Sequence, residues 1–263
     1  MRSSYDMVVG RTMQKHSSGG VRAMKKRQKI RKTGILVSFL LFPITIYYLS
    51  PVLIIMGAKQ GVIAGSFIIF SLLFVVGLAL GRAFCGWVCP GAGIQEICSS
   101  IRDKAVSKGD WIKYLIWVPW MSIIVIFAIR AGGLNKVDPF FQIHKGISIT
   151  QPTDYVVFYF FLLLIILPAY LVGKRSFCHH ICWMAPFMVI ARKTRNLFKW
   201  PSLRLEVEGE KCVQCKACEK KCPMSLSVEE MVQQGSMENT ECILCGSCVD
   251  NCPEGVIAYK FRS

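Results

Sequence analysis

Residues 212–223 read CVQCKACEKKCP, and residues 242–253 read CILCGSCVDNCP. Both segments place four cysteines with the spacing C-x₂-C-x₂-C-x₃-C and follow them with proline. This spacing is typical of [4Fe–4S] ligation, because three thiolates wrap one cluster and the fourth reaches the cluster of the other run. The sequence therefore predicts two [4Fe–4S] clusters with crossed ligand sets. The predicted ligands are Cys212, Cys215, Cys218 and Cys252 for one cluster and Cys242, Cys245, Cys248 and Cys222 for the other.

Zinc is the alternative metal, since C-x₂-C pairs also bind zinc. A zinc ion takes four ligands and has no use for the third cysteine or the proline of each run. The doubled pattern therefore favours iron–sulfur clusters, and with them a role in carrying electrons.

Composition shows that the cluster segment is attached to a different kind of chain. Hydrophobic residues make up 53% of the sequence, yet the formal net charge is +16. Residues 206–263 contain ten acidic and six basic residues, a net charge of −4, which leaves +20 for residues 1–205. The basic residues flank apolar segments, a pattern that favours a membrane protein and argues against a nucleic-acid partner.

Four apolar stretches have the length of about 20 residues that a helix needs to cross a bilayer. They are Thr33–Met56, Val62–Leu80, Trp111–Ile129 and Tyr155–Val172. Apart from Lys113, near the start of the third stretch, they carry no charged residue or histidine. This argues against soluble core helices, an ion pump and a membrane-embedded haem. We expect Pro43 and Pro51 to kink the first helix, and no cleavable signal peptide because a polar segment precedes it.

The positions of Lys and Arg indicate the orientation, because these residues collect on the cytoplasmic side of membrane helices. Residues 1–32 contain ten of them against one acidic residue. More follow the second and fourth apolar stretches, namely Arg102, Lys104, Lys108, Arg192, Lys193, Arg195 and Lys199. We therefore expect an inner-membrane protein with both termini and the cluster domain in the cytoplasm, where cysteines stay reduced.

The apolar part contains an internal repeat. Gly81–Pro90 reads GRAFCGWVCP and Lys174–Cys182 reads KRSFCHHIC, so Cys85 and Cys178 lie 93 residues apart. Each copy follows two apolar stretches, so both C-x₃-C motifs emerge on the same side of the membrane, as in a parallel repeat.

The duplicated cysteines form a candidate third metal or iron–sulfur site, because residues i and i+4 of a helix share one face. The cysteines concerned are Cys85, Cys89, Cys178 and Cys182. A redox-active thiol pair and simple buried packing are the alternatives. The matched Arg82 and Arg175 favour thiolates or bound anions at this place. We expect His179 and His180 to be solvated side chains at the membrane interface rather than ligands.

These features predict four parts along the chain: a basic cytoplasmic tail (1–32), a membrane domain (33–190), an interfacial linker (191–204) and a ferredoxin domain (205–263). The predicted fold class is an α-helical membrane protein with four transmembrane helices as two parallel repeats. A small C-terminal α+β domain of the bacterial 2[4Fe–4S] ferredoxin type completes it.

The combination of two C-x₃-C motifs with a C-terminal 2[4Fe–4S] module resembles the polyferredoxin-type membrane proteins. These include the quinol-oxidising ferredoxin-type subunit of periplasmic nitrate reductase systems and related nitrous-oxide-reduction and oxidase-assembly proteins. The resemblance covers Thr33 to the C-terminus and is carried by the F-C-x₃-C-P of Cys85–Pro90. The second copy departs from it, because Trp183 stands where the proline is expected. The resemblance implies membrane electron transfer.

The sequence thus predicts a membrane-anchored electron carrier rather than an enzyme with its own substrate. It is expected to relay electrons between a cytoplasmic redox partner and a membrane or external partner, with the quinone pool as a candidate. A quinol dehydrogenase or metal-ion reductase that uses the C-x₃-C site is the alternative, and a metal-binding assembly factor is another. No catalytic residue is assigned by the sequence.

Overall fold

The structure is a computed structural model that describes residues 26–106, 109–143 and 146–262. Most of the predicted basic tail, residues 1–25, lies outside the described residues, as do Lys108, His144 and Lys145. Most of the described chain is helical. The helices are α1 (26–40), α2 (Phe42–Thr45), α3 (Pro51–Lys59), α4 (Gly65–Leu80), α5 (Ala83–Trp87), α6 (Pro90–Ile101), α7 (Ile112–Arg130), α8 (Pro152–Leu171), α9 (Ser176–His180), α10 (Ala185–Leu197), α11 (Ala217–Lys220), α12 (Val228–Gln233) and α13 (Ser247–Asp250). The strands are β1 (Val62–Ala64), β2 (Lys136–Asp138), β3 (Ser202–Val207) and β4 (Ile257–Arg262), and 3₁₀ turns cover Tyr47–Leu49 and Gly209–Lys211.

The first apolar stretch is not one kinked helix, and the prediction of a continuous span over Thr33–Met56 is wrong. Helix α1 ends at residue 40, and α2 and a 3₁₀ turn separate it from α3. Proline explains both breaks, because it lacks an N–H and disfavours helical backbone in the residue before it. Pro43 stands in the first turn of α2, and Pro51 begins α3 after the extended Ser50.

Two helices are long and apolar enough to cross a membrane among the residues that the structure describes. They are α7, with 19 residues, and α8, with 20. The second apolar stretch forms β1 followed by α4, an apolar helix of 16 residues. The arrangement of four spanning helices as two repeats therefore stays a prediction.

The sequence repeat has the same local structure in both copies. In each copy a long apolar helix, α4 or α8, leads into a five-residue helix, α5 or α9, that carries the first cysteine. A longer helix, α6 or α10, then begins after the second cysteine. The N–H of Cys89 bonds the carbonyl of Phe84 at 2.9 Å, and the N–H of Cys182 bonds that of Phe177 at 2.9 Å.

The two repeats pack reciprocally. Helix α4 of the first copy packs on α10 of the second, and α8 of the second packs on α6 of the first. The first of these contacts needs a small side chain, because a Cβ added at Gly77 would lie 2.9 Å from the Cβ of Ala191. Each cysteine pair therefore stands between a long helix of its own copy and helices of the other.

The C-terminal domain, which we call the head, is a small α+β unit. Strands β3 and β4 pair antiparallel, with Ser202 opposite Arg262 and Val207 opposite Ile257. Helices α11, α12 and α13 lie between them in the chain. The predicted linker 191–204 is divided among the end of α10, a short connection at 198–201 and the start of β3.

The head is docked on the helical body through the loop that carries its second cysteine run. Trp87 Nε1 of α5 donates to the carbonyl of Leu244 at 2.9 Å. Gln28 Nε2 of α1 donates to the carbonyl of Cys245 at 3.0 Å. The closest backbone approach is at Gly86, where an added Cβ would lie 2.4 Å from the carbonyl oxygen of Ile243. No side chain larger than hydrogen fits at that position without moving the head.

Gly86→Ala is expected to weaken docking of the head by about 1–3 kcal/mol, the usual cost of overpacking a tight contact. Limited proteolysis of the connection at 198–201 would detect the looser head as faster cleavage. Gly34→Ala is the matched control, because its Cβ would meet only the carbonyl of Trp87 at 3.5 Å. Equal cleavage of both variants and the unaltered protein would contradict the contact.

Candidate metal centres

The first cavity of the head is lined by cysteines from both runs. Cys212, Cys215 and Cys218 come from the first run, and Cys252 comes from the end of the second. Cys215 is exposed and the other three are half-buried. We call this the outer cavity. It brings together the four cysteines of one predicted ligand set.

The second cavity of the head brings together the other predicted set. It is lined by Cys242, Cys245, Cys248 and Cys222. Three of these four thiols are buried and Cys242 is half-buried, so we call it the inner cavity. Burial raises the pKa of Cys222 to about 12. The free thiol is therefore protonated at neutral pH, whereas a metal ligand is a thiolate.

Both runs shape their cavities with the same backbone turns. Gln214 and Leu244, each two residues after the first cysteine of a run, have φ values of 54° and 49°. Lys216 and Gly246, each one residue after the second cysteine, have φ values of 57° and 73°. The left-handed region costs a non-glycine residue about 1–2 kcal/mol. Its use at matched positions indicates that this curl of the chain positions the cysteines.

A third cavity brings together all four cysteines of the C-x₃-C repeat. Cys85, Cys89, Cys178 and Cys182 are buried and line it together. The remaining wall is mostly apolar and aromatic: Phe42, Ile46, Leu49, Phe161, Ile165, Phe177, Trp183 and Met184. Gln95 reaches one sulfur, because its Nε2 lies 3.3 Å from Cys178 Sγ. We call this the repeat cavity.

Burial governs the protonation of the cysteine thiols in the repeat cavity. It raises the pKa of Cys182 to about 12 and the pKa of Cys89 well above its ordinary value. The pKa of Cys85 is also raised by burial, although the charges of Arg82 and Arg175 oppose this effect. The free thiols of Cys89 and Cys182 are therefore neutral and unreactive, which argues against an exposed thiol–disulfide couple.

Arg82, three residues before Cys85, connects the repeat cavity with the head. Its Nη1 lies 2.6 Å from a carboxylate oxygen of Glu241, the residue before Cys242. Lys113, near the start of α7, binds the other oxygen of the same carboxylate at 2.5 Å. Burial alone would raise the pKa of Glu241, but the two cations hold it below its ordinary value.

Arg175 occupies the equivalent position three residues before Cys178. Its Nη1 donates to the carbonyl of Cys85 at 2.7 Å, and its Nη2 pairs with Glu96 of α6. Arg31 of α1 binds the same carboxylate at 2.6 Å. Burial opposes ionisation of Glu96, but the two arginines lower its pKa overall. Each repeat therefore places one fully buried arginine beside the cysteines.

His179 is buried, so the expectation of a solvated side chain is wrong for this residue. Its Nδ1 lies 2.5 Å from Asp110 and its Nε2 lies 3.1 Å from the carbonyl of Met224. Both ring nitrogens therefore face oxygen atoms of the protein. Asp110, His179 and Glu241 place ligand atoms within 4.8 Å of one another. Glu241 is already bound by basic side chains, so this group is an ion-pair network.

The sequence patterns identified both arginines as site residues but did not identify the acidic residues that bind them. Glu96 and Glu241 look like ordinary surface charges in the sequence. One signal was present for Glu96, since residues 1–205 contain only six acidic residues. An acid in so basic a segment is a candidate partner for buried arginine. His180 Nδ1 donates to the carbonyl oxygen of Ser176 at 3.0 Å.

Comparison with known proteins assigns iron–sulfur domains to all three cysteine-bearing segments. Residues 211–257 match a 4Fe-4S dicluster domain. A 4Fe-4S binding domain matches the body twice, over residues 62–109 and 153–201, and each match contains one C-x₃-C motif. The body therefore contains two copies of one domain, each with its own cysteine pair.

Among its relatives, an uncharacterized protein of Methanocaldococcus jannaschii is 25% identical over 233 residues, 81% of each chain. YccM of Escherichia coli strain K12, named for electron transport, is 22% identical over 71% of this chain and 54% of its own. The methylamine utilization ferredoxin-type protein MauN of Methylorubrum extorquens is 26% identical over 60% and 52%. The chain thus spans about half the length of these last two relatives.

No solved structure matches the chain. The domains and the named relatives together support iron–sulfur electron transfer as the role of the chain. The chain carries the 4Fe-4S domains of the ferredoxin-type membrane proteins that its sequence resembles, and the predicted relationship is confirmed.

Proposed function

We propose that this chain is a membrane-anchored iron–sulfur protein that relays single electrons between a cytoplasmic redox partner and a membrane or external partner. The quinone pool is the candidate acceptor or donor on the membrane side. One observation carries the proposal: the head has two cavities and the body a third, each is lined by four cysteines, and the cysteines are most exposed in the outer cavity and fully buried in the repeat cavity. When bound, iron–sulfur clusters supply one-electron carriers at such sites.

The crossed arrangement of the head cysteines supports two [4Fe–4S] sites. Each head cavity takes three cysteines from one run and the last cysteine from the other. A zinc site of the C-x₂-C type has no need of such an exchange between two runs. We therefore assign the outer and inner cavities to the two predicted clusters.

The convergence of the four repeat cysteines supports a third metal site in the body. Packing alone does not require four buried cysteines to lie at one cavity. These four come from two copies of a domain and line the same cavity. Four cysteine ligands in a cavity with an otherwise apolar wall suit a metal–thiolate centre that is protected from water. The assignment makes the repeat cavity the innermost site of the relay.

Exposure orders the three sites. Cys215 of the outer cavity reaches the surface, the inner cavity has mostly buried cysteines, and all four cysteines of the repeat cavity are buried. In the part of the chain that the structure describes, the outer cavity is therefore the site that a soluble partner can approach most closely. The repeat cavity, by contrast, borders the apolar helical body through Phe161 and Ile165 of α8.

The surface of the body supports membrane anchoring. Only 11% of the apolar part of α7 and 17% of the apolar part of α8 is buried within the protein. The core helices of a soluble protein are mostly buried, because exposed apolar surface is costly in water. Helices of this length with exposed apolar side chains are stable where lipid covers them.

The proposal predicts about eight iron and eight sulfide per chain from the head alone, and additional iron from the repeat cavity. Anaerobically purified full-length protein would be analysed for metals and titrated potentiometrically with EPR detection, with and without a quinone analogue. Stoichiometric zinc with iron near zero would overturn the relay. A quinone analogue that shifts the signal of the innermost centre would place quinone chemistry there.

The basic residues after the second and fourth apolar stretches support a cytoplasmic head. A reporter that works only in the cytoplasm should therefore be active when fused after Ser263. The same reporter inserted at Gly132, in the exposed turn between α7 and α8, should be silent. The reverse pattern would contradict both the orientation and the placement of the head in a reducing compartment.

A further inference from the structure

Two arginine side chains beside the repeat cavity have no exposed surface. Arg82 and Arg175 are both 0% exposed, and they stand at equivalent positions of the two repeats. Burying a guanidinium group is costly unless opposite charge and hydrogen bonds compensate it. The compensation that the described residues supply is incomplete.

The charges around the repeat cavity leave a positive excess. Arg82 and Lys113 share the single carboxylate of Glu241. Arg175 and Arg31 likewise share the single carboxylate of Glu96. Four cations against two carboxylates leave an excess of two positive charges. The nearby carboxylate of Asp110 is bound by His179 rather than by these cations.

Some hydrogen-bond donors of these arginines also lack an acceptor. Arg82 uses Nη1, but its Nε and Nη2 have no partner among the described residues. Arg175 Nε also has none among them. Unpartnered donors on a buried cation are costly and therefore point to an anion that belongs beside them.

The four cysteines that line the cavity are the groups able to supply that anion, because a cysteine that ligates a metal is a thiolate. Four thiolates on a dipositive iron–sulfur core form a dianion, which matches the excess of two charges. Thiolate sulfurs also accept hydrogen bonds from nearby N–H donors.

We propose that Arg82 and Arg175 are the charge-compensating residues that make the repeat cavity a site for a dianionic iron–sulfur centre. This inference rests on the proposed relay and specifies what its innermost site holds. The two arginines are fully buried, so they act as positioning residues through their charge.

The same two arginines also lie close to the loop that carries the second cysteine run. Arg82 binds Glu241, the residue before the ligand-loop cysteine Cys242. Arg175 binds the carbonyl of Cys85, and the next residue, Gly86, lies against the carbonyl of Ile243. The positive charges therefore lie between the two cavities. They stabilise an added electron on a centre in either cavity. The centre in the repeat cavity can therefore be reduced by the centre in the inner cavity.

The test compares Arg82→Gln and Arg175→Gln in anaerobically purified full-length protein. Each change should remove the iron held in excess of the roughly eight atoms of the head, or lower the midpoint potential of the innermost centre. The head iron reports that the variant has folded. Arg82→Lys and Arg175→Lys keep the positive charge and should retain the extra iron.

Lys113→Gln is the matched control, because it removes the other cation bound to Glu241, whereas the charges that act on Cys85 are those of Arg82 and Arg175. It should retain the extra iron and its potential. Glutamine variants with full iron and unchanged potentials would overturn the inference, and so would an equal loss in the Lys113 variant. Unaltered protein with only about eight iron would also overturn it while leaving the relay of the head intact. Absence of iron from the head would instead overturn the proposed relay itself.

Discussion

Reciprocal packing of the two repeats is the constraint on which the rest of the structure depends. Because α4 packs on α10 and α8 packs on α6, the short helices α5 and α9 are brought to one place. Their cysteines then line a single cavity, although they lie 93 residues apart in the chain. The small side chain at Gly77 permits the close approach that this packing requires. Neither repeat alone contains more than half of the site.

Electrostatics then joins the head to the body at the same place. Glu241 enters from the head and Glu96 from α6, and each neutralises basic side chains that burial would otherwise destabilise. A head without its body would expose Glu241 to water, and a body without its head would leave Arg82 and Lys113 without their counter-ion. Docking, charge balance and the position of the repeat cavity are therefore properties of one network.

Local patterns allowed much of the site to be predicted. Both ferredoxin runs and both C-x₃-C motifs are recognisable because their ligand spacing lies within a dozen residues. The apolar stretches that became α7 and α8 were also recognisable, because length and hydropathy are local properties. The first stretch was expected to be one kinked helix, because membrane helices tolerate proline, but Pro43 and Pro51 stand in the first turns of separate helices.

Non-local pairing was beyond the reach of the sequence. Arg82 and Glu241 are 159 residues apart, and the sequence around each residue gives no indication of the other. His179 was expected at a wetted interface, yet Asp110 and the backbone of Met224 enclose it. Such partners become visible only when the fold brings distant segments together, because a single sequence carries no signal of contact between them.

The most direct test of the account is a double-mutant cycle across the two repeats, with Cys85→Ser, Cys178→Ser and the combined variant. The measured quantity is the EPR signal and iron content of the innermost centre, with the head clusters as an internal reference. If both repeats build one site, each single change abolishes that centre and the combined variant is no worse. Losses that add, or single variants with an unaltered centre, would show that the two motifs do not share a site.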